Sequence, residues 1–345
     1  MTLSAAITAD SLVAGTAKAG TRSASFDFVK GALVLVMILY HWLNYFIGLQ
    51  WGGYRYLRFL TPSFIFITGF LVSYVYLSRY EYDDSRLRRR LWLRGLKLLA
   101  LFLFLNVLAD RTLGMRLRLD FSDPDALRDT AYAVFVDGTA RAAFDILVSI
   151  SYFLLLVPFV LFVSVRMKIP LWALAAAAVL VTVAGESNGF ANPHCQMLTV
   201  GLLGLAAGML RADRAALLCS PVFIVCTYLV YLIAITAWNV PFALQIVGVC
   251  LSVAALYAIA QFSGADGIIQ GYVVRLGQYS LLAYIAQIIV LQLLRHALSG
   301  RPMSGVEVAA PLVISLVATV VVVELTLWLR ARSTALDRSY RAVFA

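Results

Sequence analysis

Apolar runs close to twenty residues long, each bounded by charged or turn-forming positions, recur along the chain from Phe28 to Leu329. Crossing about 30 Å of hydrocarbon takes about 20 helical residues. Ten stretches meet that length or approach it: 28–48, 57–77, 91–109, 143–163, 170–185, 195–210, 217–237, 241–260, 276–294 and 309–329. The fifth and sixth are short, with Pro193 as a natural break beside them. The pattern predicts an all-α, polytopic membrane protein of about ten transmembrane helices. One membrane domain over 26–330 uses nearly the whole chain, with a disordered cytoplasmic tail over 1–25 and a second cytoplasmic tail over 331–345.

Composition strengthens that reading. Hydrophobic residues make up 62% of the chain and charged residues 13%, where a soluble chain carries about 45–50% and 25%. Too few charges remain to cover a surface in water, so lipid is the solvent that fits. The net charge of +10 does not point to nucleic acid, because Lys and Arg sit mainly at the ends of apolar runs. Threading the ten spans with the N-terminus inside places 19 of the 28 basic residues on the cytoplasmic side and 9 outside. That bias predicts both termini in the cytoplasm.

The first 25 residues are rich in Ala, Ser and Thr and lack the apolar core of a secretory signal. Cys195, Cys219, Cys226 and Cys250 fall in or beside apolar runs without metal-like spacing, and read as small core residues. The longest external connection, Asp110 to Arg141, holds six Asp and five Arg. A connection of that length is more often functional than idle.

The first span carries the chemistry. Asp27, Lys30 and Gly31 precede an apolar run that reaches His41 and Asn44. At 100° per residue, the steps from Lys30 to His41 make three turns and about 20° more, so Asp27, Lys30 and His41 share one face with Asn44 close by. His41 then lies roughly 16 Å above Lys30. Ionisable groups at membrane depth face the protein interior or a cavity, and a neutral imidazole suits a general base. The plain alternative is a buried His that ties helices together.

A basic cluster opens the third span: Arg86, Arg88, Arg89, Arg90, Arg94 and Lys97. Topology alone accounts for it, as would anionic lipid heads. Arg90, Arg94 and Lys97 nevertheless share a helical stripe suited to phosphate. Among lesser candidates, His194 reads as a solvated or capping residue and His296 as an exposed helix-end residue. Glu324 needs an ion-pair partner inside the last span. Asp145 starts the fourth span where it can face the same cavity as His41. No phosphate loop or metal motif occurs.

The pattern Asp27-x-x-Lys30-Gly31 with His41 eleven residues after Lys30 resembles the opening motif of the transmembrane acyltransferases. That superfamily includes the acyltransferase-3 proteins, glucan succinyltransferases and heparan-α-glucosaminide N-acetyltransferases. Thr61 to Gly69 is similar to its second helix, Arg86 to Lys97 to its basic third, and Gly277-Gln278-Tyr279-Ser280 through Tyr284 to its penultimate helix. Lys30 stands where the pattern has Arg, and Gln287 where a His is common.

The resemblance implies transfer of an acetyl or succinyl group from cytoplasmic acetyl-CoA or succinyl-CoA to a hydroxyl or amine of an extracytoplasmic glycan, at a bacterial inner membrane and without a metal. His41 would be the base, with Asp27 pairing or orienting Lys30. Lys30, Arg89, Arg90, Arg94 and Lys97 would hold the donor, and Asn44 and Asp145 would meet the acceptor. Val34 and Met37, on the shared face, would line the tunnel for the pantetheine arm. The rival reading is a transporter or flippase using Asp27, Lys30 and His41 as a polar pathway, although no internal repeat supports it. Oligomeric state is left open, a dimer included.

Overall fold

Asp27 in the first turn of the first helix and the apolar series Val29, Leu33, Val34, Met37 and Ile38 behind it set how that helix sits. The carboxylate complements the positive end of the helix dipole, and the apolar series is buried against neighbouring helices. A computed structural model describes residues 23–48, 52–80, 82, 84–113, 123–139, 142–210, 221–238, 240–262, 267–299 and 305–344. Among these residues the secondary structure is helical throughout, with no strand.

In chain order the helices are α1 (Ala24–Trp42), α2 (Leu60–Leu71), α3 (Ser85–Leu113), α4 (Pro124–Tyr132), α5 (Ile146–Met167), α6 (Leu171–Ser187), α7 (Pro193–Ala207), α8 (Pro221–Ala237), α9 (Phe242–Phe262), α10 (Ile268–Gln278), α11 (Ser280–Ala297), α12 (Gly305–Arg332) and α13 (Thr334–Phe344). Helices α1, α2 and α4 each run on into a wider π turn, at Leu43–Ile47, Val72–Leu77 and Ala133–Asp137. Among the described residues seven segments are long and apolar enough to cross a membrane, and α6 and α8 are shorter apolar helices. The chain is therefore a helical membrane protein, since only helices and closed barrels satisfy the backbone in lipid.

Small residues set the closest packing, as expected where lipid gives no hydrophobic drive between helices. Along α1 and α10, a methyl on Gly31 would collide with the Val273 carbonyl, and one on Gly277 with the Asp27 carbonyl. Helices α2 and α7 approach in the same way, Gly69 meeting the Gly201 carbonyl and Gly204 the Phe66 carbonyl. The Ser73 hydroxyl donates to the Leu205 carbonyl nearby. Helix α3 lies on α5, where Ser151 donates to the Gly95 carbonyl over 2.8 Å. A continuous apolar core including Leu33, Met37, Leu60, Phe102, Phe153, Val249 and Ile288 joins these helices.

Several expectations change. The ninth stretch is two helices, α10 and α11, which break at Tyr279 (φ −110°, ψ 29°). The external connection is not a plain loop, because α4 and its π turn occupy 124–137. Asp123 caps α4 by accepting from the amides of Asp125 and Ala126, with Pro124 in the first turn. The segment after α12 carries helix α13, tied back by Arg330, which grips Asp337 at 2.6 Å. The 1–25 tail lies outside the described residues up to position 22. Cys195, Cys226 and Cys250 are exposed rather than core, since on a membrane helix the outward face meets lipid and tolerates a thiol. Cys219 lies outside the described residues.

Candidate active site

Helix α1 presents its polar residues at two levels. Near its start, the Lys30 ammonium lies 2.6 Å from the Asp27 carboxylate, which is almost fully buried. The i, i+3 spacing makes this pair local to α1, and the close approach of Gly277 to the Asp27 carbonyl shields it. Burying a carboxylate without a cation would be costly, and the Lys30 ammonium offsets that cost.

Three turns on, His41 sits among aromatic rings. Ring centroids lie 5.1 Å away for Tyr40, 5.8 Å for Tyr45 and 6.4 Å for Tyr284. Its Nε2 is buried, and no described residue hydrogen-bonds to it. A tying role would show as a bond to a neighbouring helix. Tyr40 shares a hydrogen bond of 2.9 Å with Tyr54, and the Asn44 side chain also bonds to Tyr40. Tyr45 accepts from Gln292 at 3.4 Å and lies beneath the Arg295 guanidinium. Asp145, the residue before α5, is a charge neighbour of Tyr40, Tyr284 and His194. Asn44 and Asp145 thus neighbour the tyrosines around His41, but neither His41 nor Asp145 lines the cavity described below, where the sequence predicts both.

A cavity of about 160 Å³ occupies the space between α1, α2, α3, α5 and α11. Lys30 and Arg94 are the cations on its wall, with Tyr76, Thr68 and Ser280 as polar neighbours and Leu91, Leu98, Ile146 and Leu147 among the apolar ones. Tyr284 lines it too. His41 does not, so Tyr284 is the side chain common to the cavity wall and the His41 cluster. The tunnel surface differs from expectation: Val34 packs with Leu276, Ala283 and Val323, and Met37 belongs to the main core. Helix α1 spends that face on packing, and α2, α3, α5 and α11 supply the apolar wall instead.

The basic cluster divides by direction. Arg94 reaches the cavity and donates to the Tyr76 hydroxyl over 3.4 Å. Arg90 lies over the Tyr80 ring at 5.2 Å, and Arg88 over Trp92 on another face at 5.7 Å. Arg89 and Lys97 are exposed and do not line the cavity. Of the proposed stripe, one member therefore meets the cavity.

The remaining candidates have structural partners. His194 is neither solvated nor a cap: Nε2 lies 2.9 Å from the Val134 carbonyl oxygen and Nδ1 3.3 Å from the Ser149 hydroxyl. The segment that carries Val134 is what draws it in. Glu324 pairs with Arg275 at 2.8 Å, as a carboxylate in a membrane helix requires. His296 is exposed at the end of α11. No group of three metal-ligating side chains occurs among the described residues.

Sequence reasoning assigned no role to Tyr40, Tyr45, Tyr54 or Tyr284. Tyr45 follows His41 by four residues, one helical turn, and that spacing was the available signal. Comparison with family models, curated proteins and solved structures finds no match for this chain.

Proposed function

We propose that the chain is a membrane acyltransferase that moves an acyl group from a cytoplasmic acyl-CoA to a hydroxyl or amine of an extracytoplasmic glycan. The observation that carries this reading is the cavity: Lys30 and Arg94 stand on its wall, and Tyr284, in ring contact with His41, stands on it as well. A nucleotide-bearing thioester needs cations for its phosphates and an apolar slot for its arm. It also needs a base beside the thioester carbonyl. In this reading Lys30, held in place by Asp27, and Arg94 take the phosphates through charge-assisted bonds. Arg89, Arg90 and Lys97 raise the positive potential at the entrance.

His41 acts as general base through Nε2, which no described residue engages. It takes the proton of the acceptor as the acceptor attacks the thioester. Asn44, Asp145 and the tyrosines around them form the acceptor side. Aromatic faces and hydrogen-bonding hydroxyls suit a sugar ring, which has both apolar and polar edges. The charge bias of 19 to 9 supports ten spans with both termini inside, which puts the Lys30 end in the cytoplasm and the His41 end toward the outside.

The test uses the purified full chain with acetyl-CoA or succinyl-CoA and a mixed oligosaccharide acceptor, following release of the CoA thiol. Thiol release that depends on acceptor is expected with at least one donor. Its absence with both sinks the reading. Orientation is tested separately by fusing a compartment-sensitive reporter after Ser85 and after Phe121. The first should read inside and the second outside, and agreement between the two would defeat the ten-span threading.

A further inference from the structure

Of the aromatic rings around His41, Tyr284 is the one that also lines the cavity. It lines the cavity that also contains Lys30 and Arg94, and its ring lies 6.4 Å from that of His41. Phe144 closes on it edge-on at 6.1 Å, and the residue is 6% exposed. Among the described residues its hydroxyl has no hydrogen-bond partner, whereas the nearby Tyr40 and Tyr45 hydroxyls are bonded to Tyr54 and Gln292. A buried phenol normally finds a partner. Here the free donor belongs to a residue of the cavity wall, and the neighbouring His41 ring carries a nitrogen that is also unengaged among the described residues.

We infer that Tyr284 is a catalytic residue whose hydroxyl donates to the thioester carbonyl oxygen as negative charge develops there. This rests on the acyl-transfer reading and adds a residue to it. The acceptor oxygen or nitrogen bonds to the carbonyl carbon while His41 Nε2 takes the acceptor's proton. The carbonyl π pair moves onto oxygen, which accepts the Tyr284 hydrogen bond. When that pair returns, the carbon–sulfur bond breaks, and CoA leaves as thiolate and recovers the proton from His41. The apolar neighbours Ile146 and Leu147 on the same cavity wall lower the local dielectric and strengthen such a bond.

Tyr284→Phe is the discriminating variant, because it deletes the hydroxyl and keeps the ring. Turnover of acetyl-CoA should fall about 10²–10³-fold, the usual loss for one oxyanion donor. Binding of a non-hydrolysable thioether analogue of acetyl-CoA and the melting temperature should stay at wild-type values. Incorporation of 3-fluorotyrosine at position 284, which keeps both ring and hydroxyl, should restore turnover. A Tyr284→Phe protein with wild-type turnover overturns the inference. So does a loss of analogue binding that accounts for the whole rate loss, since the hydroxyl would then serve binding alone. A variant that unfolds and whose fluorotyrosine counterpart folds but fails to turn over overturns it as well. If the wild-type protein binds no analogue and consumes no thioester, the acyl-transfer reading falls and takes this inference with it.

Discussion

Gly31 and Gly277 face each other across α1 and α10 so closely that each packs on main-chain atoms of the other helix. Gly31→Ala or Gly277→Ala should cost about 1–3 kcal/mol, the range for forcing extra atoms into a packed interior. A drop in melting temperature of detergent-solubilised protein would show it, alongside unchanged behaviour of Gly271→Ala, whose added methyl meets nothing. Equal melting of all three variants would mean the helices are not in contact there.

His41→Ala should reduce acyl transfer by about 10²–10⁴-fold, the contribution typical of a general base. His41→Asn and His41→Gln should be as inactive, because an amide hydrogen-bonds but does not accept a proton near neutral pH. All three should insert and melt as the wild type does, since Nε2 has no described partner to lose. Rescue by Gln, with loss of stability in Ala, is the outcome that would make His41 a helix tie and bring the transport reading forward.

Lys30→Arg should keep most activity and Lys30→Met should raise the KM for acyl-CoA, because the cavity wall needs a cation there. Arg94→Met should act in the same direction, while Arg88→Met, placed over Trp92 on a different face, should not. Steady-state kinetics against donor concentration separates these. Equal KM for Lys30→Met and the wild type would place the donor site elsewhere.

The polar level at Asp27 and Lys30 and the nearness of Asn44 to His41 were legible in the sequence because helical spacing alone fixes which residues of one helix share a face; where Asp145, on the approach to α5, stands relative to them was not. Nor was the cavity wall. Val34 and Met37 satisfy the same spacing and pack against α12 and the core instead, since periodicity says which face is buried and not what it is buried against. The break at Tyr279 was harder to read, because Gly277, Gln278 and Ser280 interrupt the apolar run without a Pro to end the helix. The role of His194 depended on a segment some sixty residues away in sequence reaching back to it, which no local pattern records.

The docking of α13 should be insensitive to pH across the neutral range and fail only in acid. The hydrogen bond from Arg330 holds the Asp337 carboxyl below its ordinary value, with Arg341 adding to the effect. A depressed carboxyl stabilises the docked form fully above the free pKa of about 3.9 and loses that contribution as pH falls through the lower docked value. A fluorophore on a cysteine at exposed Ser339 should report immobile helix from neutrality to about pH 4. Asp337→Asn should free it at every pH. Release near pH 6 would point to a histidine in place of Asp337.

The π turn at Ala133–Asp137 is held from outside itself. Tyr152 donates to the Phe135 carbonyl and Asn192 to the Val136 carbonyl, and His194 meets that of Val134. Every one of these grips falls on a peptide oxygen, which any amino acid supplies. The side chains of 134–136 are therefore unread by their clamp. The grips leave the sequence open, but Val134 is buried in the core and the Phe135 ring lies 5.9 Å from Phe102, so the half-exposed Val136 is the position that can change without loosening the segment from the bundle.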